Sequence, residues 1–282
     1  MIAYRAILDV PCELAQYVAR LLWRERVRRG TRSGTRKLSC FAQAVLGLRW
    51  LRDHADPTAL ARDNGISRAT AYRYLDEILH VLAAQAPDLP DALRTAKDLG
   101  AMHVILDAKT FRTDRYHGET TLNRHHRVID VRYSGKARHH GGLITTVTTP
   151  DGFPIRVSPV EPGRTHDLTA ARTHALPALQ HAAAHLDLPT LADEGYLDAG
   201  IGIHTPHRTP RKWEPPLDTD ARTHNLLLRC LRAQGERAFA LLVGRWKALR
   251  HTTASPRKLT RIAAAALVCT HFEHSWPPTR PR

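Results

Sequence analysis

The stretch Leu188-Pro189-Thr190-Leu191-Ala192-Asp193-Glu194-Gly195-Tyr196 constrains the fold of this chain more than any other. A short apolar approach ends in an acid and then in Gly-Tyr. That pattern predicts a buried strand that delivers a carboxylate to its C-terminal end and then turns sharply. Two other acids stand in comparable settings. Asp107 closes the apolar run His103-Val104-Ile105-Leu106, and Glu236 opens a helical pattern in Gly235-Glu236-Arg237-Ala238-Phe239-Ala240. An acid at the end of a first strand, one at the end of a later strand and one on a late helix can converge on one point. Three such carboxylates can hold two divalent metal ions, and two metals can carry an in-line displacement at phosphorus.

The partner expected from charge is a polyanion. Over 282 residues the formal net charge is +15. A balance this basic favours nucleic acid, where phosphate neutralisation releases counterions and drives binding. The length suits about two domains. Cys12, Cys40, Cys230 and Cys269 lie far apart with no C-x-x-C, so neither a zinc knuckle nor a redox pair is expected, and free thiols fit a cytoplasmic setting. Arg5, Asp9 and Glu13 break up the N-terminus, which does not read as a signal peptide. The longest apolar run, Ile262 to Cys269, falls far short of a membrane span.

The first part of the chain reads as helices only. Pro11 to Arg29 carries the stripe Leu14, Tyr17, Val18, Leu21 and Leu22. The basic, Gly- and Ser-containing stretch from Arg28 to Lys37 reads as a loop, able to act as a phosphate-contacting arm or a solvated connector. Leu38 to His54 reads as a second helix with Phe41, Val45, Leu48 and Leu51 inward. The clearest local motif follows from Asp56 to Leu75. Asp56 caps a short helix, Pro57 takes its first position, and Asn64-Gly65 ends it because glycine tolerates the left-handed conformation. Ser67 caps the next helix, whose apolar stripe is Ala71, Tyr74, Leu75, Ile78, Leu79 and Leu82. Arg68, Ala69, Thr70 and Arg73 are left on the free side. Such a pair reads as a helix-turn-helix, with Ser67, Arg68, Thr70 and Arg73 facing DNA.

The segment Gln85 to Asp91, with Pro87 and Pro90 interrupting any helix, reads as a domain boundary. The expected division is a helical DNA-binding domain over 1–86, a linker with a short helix over 87–101, a catalytic domain over 102–275 and a disordered tail over 276–282. The second domain reads as strand His103–Asp107, a polar turn-rich region over 112–127, a hairpin around Pro150-Asp151-Gly152, a helix from Thr165-His166-Asp167 to about Leu179, strand Thr190–Asp193, a further strand near Ile201–Thr205, and closing helices. That order predicts a mixed α/β fold with a sheet covered by helices, of ribonuclease H-like type.

The chain resembles the transposases of the bacterial IS5 group, related to the eukaryotic Harbinger elements, within the DDE superfamily. The resemblance is carried by Ile105-Leu106-Asp107, Tyr133-Ser134-Gly135-Lys136 with His139-His140-Gly141, the run Glu161 to Ala170, Ala192 to Tyr196, and Gly235-Glu236-Arg237. It implies that Asp107, Asp193 and Glu236 are catalytic and bind two Mg²⁺ ions, with Mn²⁺ as substitute. It also implies double-stranded DNA as the partner, both terminal repeats and target. A homodimer or higher assembly on DNA, no organic cofactor and a bacterial, nucleoid-associated location complete the expectation. Two departures stand out: Asp107-Ala108-Lys109 replaces the usual Asp-Gly-Thr, and Gln234 replaces a frequent proline.

Other residues have weaker roles. Asp167 rivals Asp193 for the second acid, but Thr165-His166-Asp167 suits a helix N-terminus, so Asp167 is expected either to cap that helix or to support the site, and His166 to support the site with it. Glu194 is expected to point away from Asp193, as strand neighbours do. Lys136 and Arg138 read as a DNA-facing patch. Lys247 and Arg250, placed on the helix after Glu236, are candidates for contact with the DNA backbone. His125-His126 and His139-His140 lack cysteine partners at ligand spacing, which argues against zinc. Two further readings stay open: a DNA-binding regulator derived from an inactive transposase, and a metal-dependent endonuclease without strand transfer.

Overall fold

A computed structural model describes residues 7–114, 120–122, 126–253 and 255–277. Its residues cluster into two compact units: residues 1–86 with 245–250 and 261–276, and residues 87–244 with 251–260 and 277–282. The sequence reading had placed 102–275 in a single domain. The difference arises because two late segments, a short 3-10 turn within 245–250 and most of an apolar helix within 261–276, cluster with the early helices.

The first unit opens with α1 (Cys12–Arg28), α2 (Cys40–Asp53), α3 (Pro57–Asp63) and α4 (Arg68–Ala83). Caps set the boundaries. The Ser39 side chain accepts the Ala42 N–H, Asp56 accepts that of Ala59, and Ser67 accepts that of Thr70. All six residues of the expected α4 stripe are buried. In α2 the inward face differs from expectation. Gln43, Ala44, Leu46, Gly47, Leu48, Trp50 and Leu51 are buried, whereas Phe41 is 46% exposed. The helix begins only at Cys40, which leaves Phe41 in its first turn, outside the packed faces.

A buried polar chain crosses this helical core. Arg26 donates to Gln43 Oε1 at 2.6 Å, Gln43 donates to Glu77 Oε2 at 2.8 Å, and Arg36 donates to Glu77 Oε1 at 3.0 Å. These bonds match Gln43 and both oxygens of Glu77, while among the described residues the buried Arg26 Nε has no partner. Trp246 is fully buried in the same unit, and its indole N–H donates to Thr270 Oγ1 at 2.9 Å.

The second unit begins with α5 (Leu89–Asp98), capped by Asp88. Pro90 lies in its first turn and starts the helix rather than interrupting it, because the missing N–H there has no intrahelical partner to lose. The strands are β1 (Val104–Arg112), β2 (Thr120–Leu122), β3 (Val128–Asp130), β4 (Tyr133–Ser134), β5 (His139–Thr148), β6 (Pro154–Val157), β7 (Glu161–Pro162), β8 (Thr190–Leu191) and β9 (Ile203–His204). Helices α6 (Asp167–His174), α7 (Leu176–Leu186), α8 (Thr219–Arg232), α9 (Gly235–Arg245) and α10 (Pro256–Glu273) complete the chain, the last two reaching into the first unit.

The main sheet has the order β4-β5-β1-β8-β9, with β6 and β7 also paired to β5. β1 pairs β5 antiparallel and β8 parallel, and β9 continues parallel to β8. The sheet is mixed and flanked by helices, as the order of elements predicted. Two local expectations are corrected. β1 continues five residues past Asp107, to Arg112, because a long β5 offers ladder partners along its length. Lys247 is not on the helix of Glu236: α9 ends at Arg245, Trp246 breaks away at φ −109°, ψ 89°, and Lys247 begins a 3-10 turn in the first unit. There its ammonium lies 3.5 Å from Asp53 Oδ1. His125 and the tail beyond Pro277 fall outside the described residues.

Replacing Trp246 with alanine removes the largest fully buried side chain. The expected loss of unfolding free energy is about 3–5 kcal/mol. Denaturant melts measure it, and a loss below about 1 kcal/mol would show that the segment does not contribute to the core of the first unit.

Candidate active site

Alternation along β1 puts Ile105, Asp107, Lys109 and Phe111 on one face of the sheet. Across the antiparallel ladder Asp107 sits opposite Thr146. On its other side β1 pairs β8 in parallel, Ile105 with Leu191, and Asp193 follows two residues beyond the end of β8, near enough for its charge to act on the Asp107 carboxyl. β8 ends at Leu191, and Asp193 then caps a single 3-10 turn over Glu194–Tyr196. Its Oδ1 accepts the N–H of Gly195 at 2.9 Å.

Asp167 enters the same neighbourhood from the first turn of α6. A Cβ placed on Gly195 would lie 3.0 Å from Asp193 Oδ1 and 3.5 Å from Asp167 Oδ2, so both carboxylates flank one glycine. The cap of α6 is His166, whose Nδ1 accepts the Leu168 N–H at 3.3 Å. Asp167, expected either to cap or to support the site, lies one residue past the cap. Its carboxylate instead accepts from Lys136 Nζ at 3.0 Å. Lys136 comes from the turn between β4 and β5 and is largely exposed. A cleft of about 730 Å³ opens here, lined by Thr110, Tyr133, Lys136, His140, Asp167 and Gly195 among others.

The charges of this cluster are only partly balanced. Burial pushes the Asp107 carboxyl up to about 6. The Ala108 N–H, which donates to its Oδ1 at 2.9 Å, and the charge of Arg232 oppose that shift, while Asp193 and Asp167 add to it. Burial and the same three carboxylates also hold the Tyr196 hydroxyl protonated. Tyr196 and Thr146 are both fully enclosed, and among the described residues neither hydroxyl has a hydrogen-bond partner. Lys136 gains proton affinity from its bond to Asp167, with Asp193 and Asp107 contributing.

Helix α9 runs along β1 on the face that carries Asp107. A Cβ on Gly235 would lie 2.9 Å from Ile105 Cγ2, so the helix start rests directly on the strand. Further along, the Lys109 ammonium lies 5.6 Å over the Phe239 ring, and Phe111 meets that ring edge-on at 6.0 Å between centroids. Lys109, the cation that departs from the family pattern, therefore spends its charge on an aromatic face. Glu236 is exposed in the first turn of α9, on the Asp107 side of the sheet. The hairpin turn before β6 pins this helix start. Gly152 has φ +80°, and a Cβ there would lie 2.0 Å from the Gln234 carbonyl oxygen. Arg237 also donates to the Asp151 carbonyl at 3.1 Å. Among the described residues no three of His, Cys, Asp and Glu stand grouped to hold one metal ion.

The remaining expected residues lie elsewhere. Ser67, Arg68 and Arg73 are exposed and Thr70 half-buried on α4; Arg73 donates to Thr70 Oγ1 at 3.0 Å, and Arg68 lies 5.6 Å over the Tyr72 ring. Arg138 is exposed with φ 56°. Glu194 turns away from the cluster and accepts from the Thr209 hydroxyl at 3.3 Å. His140 Nε2 is 3.3 Å from Asp130 Oδ2, and His139 faces the His140 carbonyl, so this pair has partners other than a zinc ion. Sequence reasoning passed over Arg232, Thr146 and Tyr196. Tyr196 carried a signal, since it ends the motif that bears Asp193. Arg232 carried none, because it ends α8, one helix before Glu236.

No helix among the described residues is long and apolar enough to cross a membrane. A comparison with characterised proteins finds no significant match to this sequence. Among solved structures, the Mos1 transposase paired-end complex with left transposon end is similar at 12% identity, covering 81% of this chain and 84% of that one, with a TM-score of 0.22. So low a score fixes neither fold nor function. A family profile described as DDE superfamily endonuclease matches residues 118–271, more than half of the 282-residue chain. The matched span includes Asp167, Asp193 and Glu236 and begins after Asp107. The chain belongs to the DDE superfamily endonucleases.

Proposed function

We propose that the protein is a DNA transposase of the IS5, Harbinger-like group, which binds terminal inverted repeats and cuts and joins DNA through Asp107, Asp193 and Glu236. The observation that carries this reading is the nearness of Asp107, on the central strand, to Asp193, just beyond the end of the neighbouring strand, in a chain of the DDE superfamily. The strand arrangement supports the ribonuclease H-like reading. An antiparallel meander of β1, β5 and β6 is extended in parallel by β8 and β9 on the far side of β1.

The donor set suits Mg²⁺ or Mn²⁺. It offers carboxylate oxygens with an excess of negative charge, and burial, with the charges of Asp193 and Asp167 adding to it, raises the Asp107 carboxyl to about 6. Such ions use one or two carboxylates with water and substrate phosphates rather than a closed protein cage, so Asp107 and Asp193 would hold them, with Glu236 as the third acid of the reading. When bound, a pair of these ions would activate the attacking oxygen and stabilise the leaving one. The residues themselves do the rest. Asp107 on β1 and Asp193 after β8 would supply the carboxylates, and the Gly195 N–H, bonded to Asp193 Oδ1, would orient the second. Lys136 offsets Asp167 and stands in the cleft where a phosphate would enter, with Arg138 nearby in the same turn.

The DNA-reading part is α3 with α4. The exposed Arg68 and Arg73, with Ser67 and Thr70, suit the major groove. Two ends must be paired for transposition, which supports a dimer on DNA acting at the bacterial nucleoid.

The test is cleavage of labelled duplexes carrying the element's own termini, with Mg²⁺. Asp107→Ala, Asp193→Ala and Glu236→Ala should each lose at least about a thousandfold in rate, or ~4 kcal/mol of transition-state stabilisation. Asp167→Ala should retain cleavage at a reduced level. A dead Asp167→Ala with an active Glu236→Ala would make Asp167 the third acid. Nicking without end joining would favour a plain endonuclease.

A second expectation concerns stability without divalent metal. The folded Asp107 value of about 6 lies above the ordinary unfolded one. The protonated carboxyl therefore stabilises the fold fully below about pH 4, and that stability is lost as pH rises through about 6. Asp107→Asn should stabilise the protein at pH 7 by about 2–3 kcal/mol and by little at pH 4. Denaturant melts with chelator at both values measure this; an equal effect at the two would remove the electrostatic account of the site.

A further inference from the structure

The first unit holds a second concavity, of about 780 Å³, beside the free face of α4. Its walls come from the basic loop after α1, from α4 and from α10. Arg29, Arg36, Lys37, Arg73 and Arg261 line it, with only Asp76 and Glu77 as acids. Glu77 is already occupied. One of its oxygens takes Arg36 at 3.0 Å, the other takes Gln43 at 2.8 Å, and Arg29 stands 3.9 Å away. Arg36 is further held with its guanidinium 5.8 Å from the Tyr74 ring centroid. The buried acid thus fixes one wall and spends its charge doing so.

Lys37, Arg73 and Arg261 have no carboxylate partner among the described residues, and all three are exposed. Nothing on α4 explains Lys37 and Arg261. They come from segments far apart in sequence, and the fold brings them to one groove. Three cations with spare hydrogen-bond donors form a receptor for phosphate oxygens.

We infer that this groove seats the phosphodiester backbone of double-stranded DNA, with Lys37 and Arg261 contacting phosphates beside the duplex edge that α4 reads. The inference rests on the DNA-binding reading above and adds two contacts that α4 does not supply. Contacts of this kind carry no base information, so they act equally on every sequence.

The experiment is fluorescence anisotropy of a random-sequence DNA duplex with the full chain over a range of KCl concentrations. Wild type is compared with Lys37→Gln/Arg261→Gln and with a charge-matched control, Arg20→Gln/Arg24→Gln, on the exposed face of α1. Glutamine keeps the aliphatic stems at exposed positions, and circular dichroism confirms folding. Loss of two phosphate contacts should make the slope of log affinity against log salt shallower by about 1.8, since each contact contributes roughly 0.9. The control should keep the wild-type slope. A groove variant with the wild-type slope, or a control that loses as much, would overturn the groove while leaving DNA binding intact. A wild type with no salt-dependent DNA binding would overturn both the groove and the DNA-binding reading.

Discussion

The catalytic unit depends on one register, that of β1 between β5 and β8. Strand pairing repeats every two residues, so a slip by one would turn Asp107 to the opposite face and leave Asp193 alone. The antiparallel ladder with β5 runs the length of β1, from Ile105 opposite Thr148 to Arg112 opposite Gly141, and this long pairing specifies the register. β8 is short by comparison, with only Thr190 and Leu191 in the ladder. Its brevity frees Asp193 from the sheet to cap the next turn, which aims the carboxylate while keeping it beside Asp107.

Gathering carboxylates at the centre of a sheet works against stability. Asp107 is desolvated, and Asp193 and Asp167 repel it. Lys136 and Arg232 offset part of that charge, from a turn and from a helix end. The enclosed hydroxyls of Tyr196 and Thr146 add polar groups that the fold itself leaves unmatched. Native proteins concentrate such breaks of local rules at functional sites. The aromatic seat of Lys109 shows the reverse: a cation that would compete at the site is turned aside onto Phe239.

The helical unit solves a different problem. Its buried acid Glu77 is matched by Arg36 and Gln43, and Gln43 by Arg26. Such a chain ties α1, α2, α4 and the basic loop together at defined points. The cations left over line the groove rather than the core.

Much of this was legible from local chemistry. Caps at Asp56 and Ser67, the α4 stripe, the hairpin at Gly152 and the acids after two apolar runs all follow from short-range rules, because side-chain oxygens, glycine and periodicity act within a few residues. What the sequence alone determined was therefore the kind of elements and the resemblance to the DDE superfamily. Only the tertiary structure decided that β1 runs past Asp107, since a strand's length depends on its partner. Only it decided that Asp167 pairs with Lys136 while His166 caps, that Phe41 faces outward, and that Lys247 belongs with the early helices. Each of these rests on a contact between residues distant in the chain, and no local pattern encodes which distant surface a side chain will meet.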